Sequence, residues 1–298
     1  MAAAIADRAP HWNRAGHWRM TRAMQKSFSE SGSDWANRRG ALWRDKLDGM
    51  EALLAPIDAP FVEALALDAP CRIGEIACGG GGTTRAIAAA APAGSEITGF
   101  DISADLVAAA TARAGDVARF VVADVSSYRP ERPFDRLASR FGVMFFEDPA
   151  AAFANLRHWL VPGGRLAFAV WGPAAEVGFM AQIRATVASV MEVAPADPDA
   201  PGPCRYADPA RLIALLGAAG FADAASRTVH CALPVPGETP AAAAAFLLAS
   251  SSMAAPLADA PAELRDKAFA RLTEVCASHV EDGRVLMPAR VEIVTATG

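Results

Sequence analysis

Residues 71–88 read Cys-Arg-Ile-Gly-Glu-Ile-Ala-Cys-Gly-Gly-Gly-Gly-Thr-Thr-Arg-Ala-Ile-Ala, an apolar strand that meets four glycines and passes straight into a helix. This junction commits the chain to strand-turn-helix architecture and places a ligand site in the turn. Glycine reaches backbone angles closed to other residues and lets a ligand approach the main chain, while the helix start presents unpaired N–H groups. A nucleotide-like cofactor suits such a turn. A Walker A loop does not, because it needs Lys and then Ser or Thr after its last glycine, and Thr83-Thr84-Arg85 stands there.

Gly79 and Gly81 supply the first two glycines of a dinucleotide fingerprint, with Thr84 in the third position. A second acidic strand end, Ile97-Thr-Gly-Phe-Asp101, follows at about the 20-residue spacing that lets a carboxylate meet ribose hydroxyls. Nicotinamide and adenosyl cofactors both want that acid. Two further segments bear on the choice: Phe120-Val-Val-Ala-Asp124-Val125, and Phe134-Asp-Arg-Leu-Ala-Ser-Arg-Phe141. After the second come a helix and Leu160-Val-Pro-Gly-Gly-Arg-Leu-Ala-Phe-Ala-Val170.

In that order of motifs, from about Cys71 to Trp171, the chain resembles the class I S-adenosylmethionine-dependent methyltransferases. The glycine motif, usually Asp/Glu-x-Gly/Ala-x-Gly-x-Gly, is matched by Glu75, Ala77, Gly79 and Gly81, with Ala77 where the family commonly has Gly. The resemblance implies S-adenosylmethionine as cofactor. It makes Asp101 the ribose-binding acid followed by Ile102, sets Asp124 against the adenine amino group, and uses Val125 to enclose the ring. Glu75, Ala77, Cys78, Gly79, Gly81, Arg140 and Phe141 complete the implied cofactor-binding set, and Pro162-Gly163-Gly164 is a further hallmark. More narrowly, the run Ser139-Arg-Phe-Gly-Val-Met-Phe-Phe-Glu-Asp-Pro149 is similar to the bacterial small-molecule subgroup akin to quinone-biosynthesis (ubiquinone/menaquinone) methyltransferases.

The expected fold class is α/β. From 71 to 172 apolar strands alternate with Ala-rich helical stretches, the pattern of a parallel sheet covered on both faces. The family likeness implies a Rossmann-like seven-stranded methyltransferase sheet, mostly parallel, with an antiparallel edge hairpin and helical roof insertions. Residues 1–33 form an N-terminal extension without clean periodicity, expected to be mobile or a start-site artefact. Residues 34–70 hold an amphipathic helix marked by Trp35, Leu42, Trp43, Leu47, Met50, Leu53 and Leu54, ended or kinked by Pro56. In similar enzymes such a helix folds over the cofactor, which makes Trp35 and Trp43 lid residues; plain core packing is the alternative. Residues 173–298 read as the C-terminal part of the same domain. They contain a Pro-rich loop over 194–203, a capped helix from Asp208 to Gly220, a strand over 226–233, an apolar helical insert over about 240–280 and a last strand over 284–295. The insert either lines a hydrophobic pocket or packs on the sheet.

A length of 298 residues with 53% hydrophobic content suits one sizeable domain with additions. The formal net charge of −5, without a basic run beside aromatics, argues against nucleic acid as the principal partner, although an acidic protein can still methylate RNA or protein; the small-molecule acceptor is what the resemblance implies. Five widely spaced cysteines form neither a C-x-x-C nor a disulfide framework, so no structural metal is expected and a reducing cytoplasm fits. No unbroken apolar run reaches membrane-spanning length. The oligomeric state is left open between monomer and homodimer.

Methyl transfer from a sulfonium is an in-line displacement, so few catalytic side chains are needed. The candidates are Arg140 at the fourth strand end, with a salt bridge to Glu147 or Asp148 as the alternative, and Tyr206 and His279 as general bases. His158 and His230 read as structural or solvent-facing, and His11 and His17 fall in the extension. Cys78 reads as a thiol packed beneath the turn. Two rival readings stand beside the methyltransferase: a catalytically silent S-adenosylmethionine-binding partner or regulatory subunit, and an NAD(P)-dependent oxidoreductase.

Overall fold

The computed structural model describes residues 11–12, 18–19, 35–193 and 197–298. The N-terminal extension therefore lies outside the described residues, His17 included, except for the paired two-residue strands β1 (His11–Trp12) and β2 (Trp18–Arg19). The chain divides into two compact units. The larger comprises residues 30–173, 199–231 and 290–298; the other comprises 174–198 and 232–289 with the described part of 1–29.

The larger unit is built on strands β3 (Arg72–Ile76), β4 (Glu96–Asp101), β5 (Arg119–Val122), β6 (Phe134–Arg140) and β7 (Leu160–Trp171). These run parallel, and the sheet continues through β10 (Arg284–Thr297) to β8 (Ala222–Val235) in the order β5-β4-β3-β6-β7-β10-β8. In the larger unit, residues 291–297 of β10 pair antiparallel with 171–165 of β7. The antiparallel edge is as expected, but the count is corrected from seven strands to eight. The extra strand is β9 (Val280–Glu281), which pairs with the first residues of β10 inside the second unit. Two residues are too few to leave a periodic signal.

The central strands are apolar on both faces because helices cover both. Ile73, Ile76, Leu137, Ala138, and residues 166–170 of β7 are fully buried. Short helices α1 (Gly40–Arg44), α2 (Leu47–Leu54) and α3 (Asp58–Ala64) precede β3, where the periodicity predicts one helix. The expected break at Pro56 is a 3-10 turn, Ala55–Ile57, between α2 and α3. Helices α4 (Gly82–Ala90), α5 (Ala104–Ala114) and α6 (Pro149–Arg157) follow β3, β4 and β6. Ser103 caps α5, and Asp148 caps α6 by accepting from Ala151 N at 3.0 Å. Beyond α7 (Gly178–Ala188), helix α8 (Pro209–Ala218) starts at its expected cap, Asp208, and the chain leaves it through Gly220 at φ +89°.

The second unit holds α7 and the helices α9 (Pro240–Ser250), α10 (Ala254–Ala258) and α11 (Ala262–Ala277). The apolar residues Leu247, Leu248 and Leu257 of the insert are buried. Among the described residues no helix is long and apolar enough to cross a membrane.

Candidate functional site

The strand order reverses beside β3: the chain adds β4 and β5 on one side and then returns to place β6 and β7 on the other. In open parallel sheets that reversal opens a crevice at the carboxyl ends of the strands, because the two crossovers leave in opposite directions. The turn after β3 enters it from one side, and the turn after β6 from the other.

The first turn is left-handed three times, at Ala77 (φ +54°), Gly79 (φ +55°) and Gly81 (φ +79°). Glycine adopts these angles freely, whereas at Ala77 the Cβ makes the same angle costly, of order 1–3 kcal/mol. What holds the turn is its neighbour strand. Cys78 N donates to Phe100 O at 3.0 Å, and Gly79 N donates to Asp101 Oδ2 at 2.9 Å. Ser103 N donates to Asp101 Oδ1 at 2.9 Å, so the Asp101 carboxylate fastens the glycine turn to the end of β4. Burial raises the Asp101 pKa, against the lowering effect of N–H donors from Ser103, Gly79 and Ile102. Three donors fill three of the four lone-pair sites on its two oxygens, which leaves room for a ligand hydroxyl. Ile102, next along the rim, is half-buried.

Glu75 sits at the C-terminal end of β3, 2% exposed, and accepts from the Thr84 hydroxyl. Burial pushes its pKa up to about 8, so the carboxyl holds its proton at neutral pH. Cys78 is buried beneath the turn as the sequence suggested, and burial raises its thiol well above the ordinary range. Burial of this kind favours the neutral thiol over the thiolate. Asp124 is exposed after β5, where its Oδ1 accepts from Ser126 N at 2.9 Å and Ser126 Oγ at 2.6 Å. Val125 is buried, its carbonyl held by Asn155 Nδ2 at 2.8 Å.

The second turn carries Arg140 and Phe141. Arg140 pairs with neither Glu147 nor Asp148; its Nη1 donates to Leu54 O at 2.9 Å and meets Asp58 Oδ1 at 3.2 Å. Asp148 is occupied as the α6 cap. Phe141 is a bulky residue at φ +63° and stacks on Trp171 with centroids 3.9 Å apart and planes at 9°. The two turns touch: a Cβ on Gly142 would collide with the Ala77 methyl and lie 2.9 Å from Ser139 Oγ.

One candidate base is sealed away from solvent. Tyr206 is fully buried, its hydroxyl has no partner, and burial pushes its pKa up to about 12. It packs where the 202–205 loop meets the second turn, through Gly202 N to Met144 O and the Arg205 guanidinium to Phe146 O. His279 belongs to the other unit, with Nδ1 against Val275 O at 2.9 Å. His158 and His230 are exposed.

Asp58, Thr84, Trp171 and Glu51 were not singled out by sequence as site residues. Thr84 had a usable signal, a hydroxyl in the first turn of the helix after the glycines. Asp58 had none, because its partner comes from a distant strand end. Helices α1 and α2 lie directly on the first turn. A Cβ on Gly80 would collide with Leu47, one on Gly82 would lie 2.7 Å from Glu51 Cδ, and one on Gly79 would lie 3.7 Å from Trp43 Nε1. Trp43 and Trp35 meet edge to face at 5.5 Å, and Trp35 meets Phe145 of the second turn at 5.1 Å.

Residues 74–168 match a family model described as a methyltransferase domain, the stretch that holds β3 to most of β7. The chain is 35% identical over 108 residues to a trans-aconitate 2-methyltransferase of Streptomyces avermitilis, across 35% of this chain and 40% of that protein. It is 33% identical over 100 residues to malonyl-[acyl-carrier protein] O-methyltransferase 1 of Ilyobacter polytropus, across 33% of this chain and 37% of that protein. The matched stretch thus spans about two fifths of the length of these relatives. Among solved structures, the fold is shared with the YcgJ protein of Bacillus subtilis (TM-score 0.53, 14% identity, 82% of this chain and 98% of that one). It is shared too with Haemonchus contortus phosphoethanolamine N-methyltransferase 2 in complex with S-adenosyl-L-methionine (TM-score 0.53, 15% identity, 90% of this chain and 60% of that one). Residues 74–168, the stretch that matches the methyltransferase-domain model, hold the parallel strands of a Rossmann-like α/β sheet.

Proposed function

We propose that this chain is a class I S-adenosylmethionine-dependent methyltransferase that acts on a small-molecule acceptor. One observation carries the reading: the left-handed glycine turn, fastened by Asp101, stands at the sheet's reversal point inside the stretch that matches a methyltransferase domain. The cradle fits an adenosyl cofactor. Gly79 has only the Trp43 indole nitrogen near its missing side chain, so the backbone is open to close approach by a ligand there. Asp101 has room left for a ribose hydroxyl, and Asp124 is exposed on the same rim with Oδ2 unoccupied by Ser126, which suits an amino group.

S-adenosylmethionine supplies a methyl group on a positively charged sulfur, already activated for displacement. The chain's residues then have to bind, orient and keep water out. Gly79, Gly81 and Asp101 fix the ribose end, and Ile102 and Val125 give apolar walls. Glu75, protonated and buried, presents an uncharged carboxyl next to the turn. Phe141 and Trp171 close the acceptor side with stacked rings. Neither Tyr206 nor His279 acts as general base in this reading, so rate comes from positioning.

The acceptor is proposed to be a small metabolite, apolar or aromatic in character. The narrower quinone-biosynthesis likeness rests on Ser139 to Pro149 alone, and the curated relatives bear other names, so trans-aconitate belongs in the acceptor panel. The test is isothermal titration with S-adenosylmethionine, S-adenosylhomocysteine and NAD. Micromolar binding of the two adenosyl ligands without NAD is expected; no binding by folded protein, or preference for NAD, overturns the reading.

A further inference from the structure

The chain between β5 and β6 leaves the sheet, so its backbone groups must find partners outside the strand ladder. It begins by folding on itself. Asp124 O accepts from Ser127 N at 3.1 Å and from Tyr128 N at 2.8 Å, while Asp124 Oδ1 accepts from Ser126 N and Ser126 Oγ. Residues 124–128 are thus one closed turn, and the position of that turn sets the direction of the Asp124 carboxylate.

Two side chains from further along the chain hold the turn. Asn155, in the last turn of α6 and 7% exposed, donates through Nδ2 to Val125 O at 2.8 Å and to Tyr128 O at 2.8 Å. Trp159 Nε1 also donates to Tyr128 O, at 3.1 Å, and the Tyr128 ring packs against those of Trp159 and Phe100. Tyr128 O therefore has two donors. Val125 O has one, because among the described residues Asn155 alone reaches it. A buried amide costs free energy unless its hydrogens are satisfied, and here both go to the carbonyls that bracket Ser126, the residue that grips Asp124.

We propose that Asn155 is a positioning residue that holds the Asp124 carboxylate in one place and so makes the site selective for adenine over hypoxanthine. The proposal rests on the adenosyl-cofactor reading, in which Asp124 Oδ2 meets the adenine amino group. Hypoxanthine carries an acceptor oxygen at that position, and its nearest donor, N1–H, is on the neighbouring ring atom. A carboxylate fixed by its turn faces the wrong atom. On a loosened turn it shifts to N1–H and accepts either base. Selectivity therefore resides in the rigidity of the turn, and Val125 O is the point that Asn155 holds by itself.

The test is calorimetric titration of the full chain with S-adenosylhomocysteine and with S-inosylhomocysteine, in which an oxo group replaces the amino group. The native protein is expected to prefer the adenosyl ligand about 10- to 100-fold, the size expected of a hydrogen bond to a charged group. Asn155→Leu, which strands Val125 O, should bring the two ligands to within about threefold of each other, mainly by weakening the adenosyl one. Trp159→Phe is the control. It cuts one bond to Tyr128 O in the buried core and lowers the melting temperature, but it leaves Val125 O held and should keep the native preference. If Asn155→Leu folds poorly, Asn155→Ala replaces it with the same expected loss, since water can enter the vacated space and meet the carbonyls without fixing them. A preference retained in the Asn155 variant, or lost equally in Trp159→Phe, overturns the role of Asn155. Native protein that binds the adenosyl ligand without preferring it removes Asp124 from the amino group, and overturns the proposal while the cofactor reading stands. Native protein that binds neither ligand overturns both.

Discussion

The two turns that face each other across the sheet's reversal are built from opposite materials. The turn after β3 is backbone: glycines, left-handed angles, and main-chain N–H groups gathered by one carboxylate, Asp101. The turn after β6 is side chain: a guanidinium locked to a helix end and a strained phenylalanine stacked on a tryptophan. Backbone donors suit a ligand whose shape does not vary, and large side chains suit one that does, because side chains change by single substitutions while a glycine turn does not. In the proposed reading the cofactor lies on the first turn and the acceptor on the second. They meet where Gly142 packs against Ala77, so each turn fixes the other's position.

That seam is where the comparison breaks most readily. Gly142→Ala should cost about 3 kcal/mol, since the new methyl collides with Ala77 and crowds Ser139. Ala77→Gly in the same chain removes the struck methyl and suits the +54° angle, so the double variant should recover more than half of the loss in urea unfolding. An additive double variant would show the turns to be independent.

The first turn's buried carboxyl gives the next effect. Glu75 has a folded pKa near 8 against an ordinary 4.5, so the folded state binds the proton more tightly than the unfolded one. Its contribution is fully favourable below pH 4.5 and is lost as pH rises toward 8, the reverse of an ordinary salt-bridged carboxylate. Glu75→Gln mimics the protonated group and should flatten the decline in melting temperature across that window. A variant that melts below the native protein at the alkaline end would show that the ionised carboxylate is needed.

Asp101→Ala removes the carboxylate that gathers the turn and should weaken S-adenosylhomocysteine binding roughly 10- to 100-fold, with an unchanged dissociation constant refuting its role. On the other side of the seam, Tyr206→Phe deletes a buried hydroxyl without a partner. It should stabilise by about 1 kcal/mol and leave methyl transfer intact, whereas loss of activity would return Tyr206 to the reaction. Smallest of all, Arg44→Ala cuts an exposed ion pair and should not move the melting temperature measurably.

The first turn was legible because its parts are close in the chain or on adjoining strands. Glycines announce the left-handed angles, Thr84 lies nine positions from Glu75, and Asp101 lies 22 from Gly79 at the end of the neighbouring strand. The helix cap at Asp208 was equally local. The second turn was read for its position but not for its contacts. Arg140 was read as a site residue, with a salt bridge to Glu147 or Asp148 as the alternative, yet its hydrogen bond crosses 86 positions to Leu54. Tyr206 read as a candidate general base, and only packing decided that it is sealed.

By itself, then, the sequence determined the parallel sheet, the glycine turn, the acidic end of the neighbouring strand and the helical insert, because periodicity, capping and left-handed geometry are properties of neighbouring residues. The tertiary structure alone decided that helices α1 and α2 lie on the turn and that Asp58 answers Arg140. It alone made Phe141 and Trp171 a stacked pair and sealed Tyr206 away from solvent. Those outcomes depend on which distant surfaces meet and exclude water from each other, and a linear pattern carries no record of that meeting.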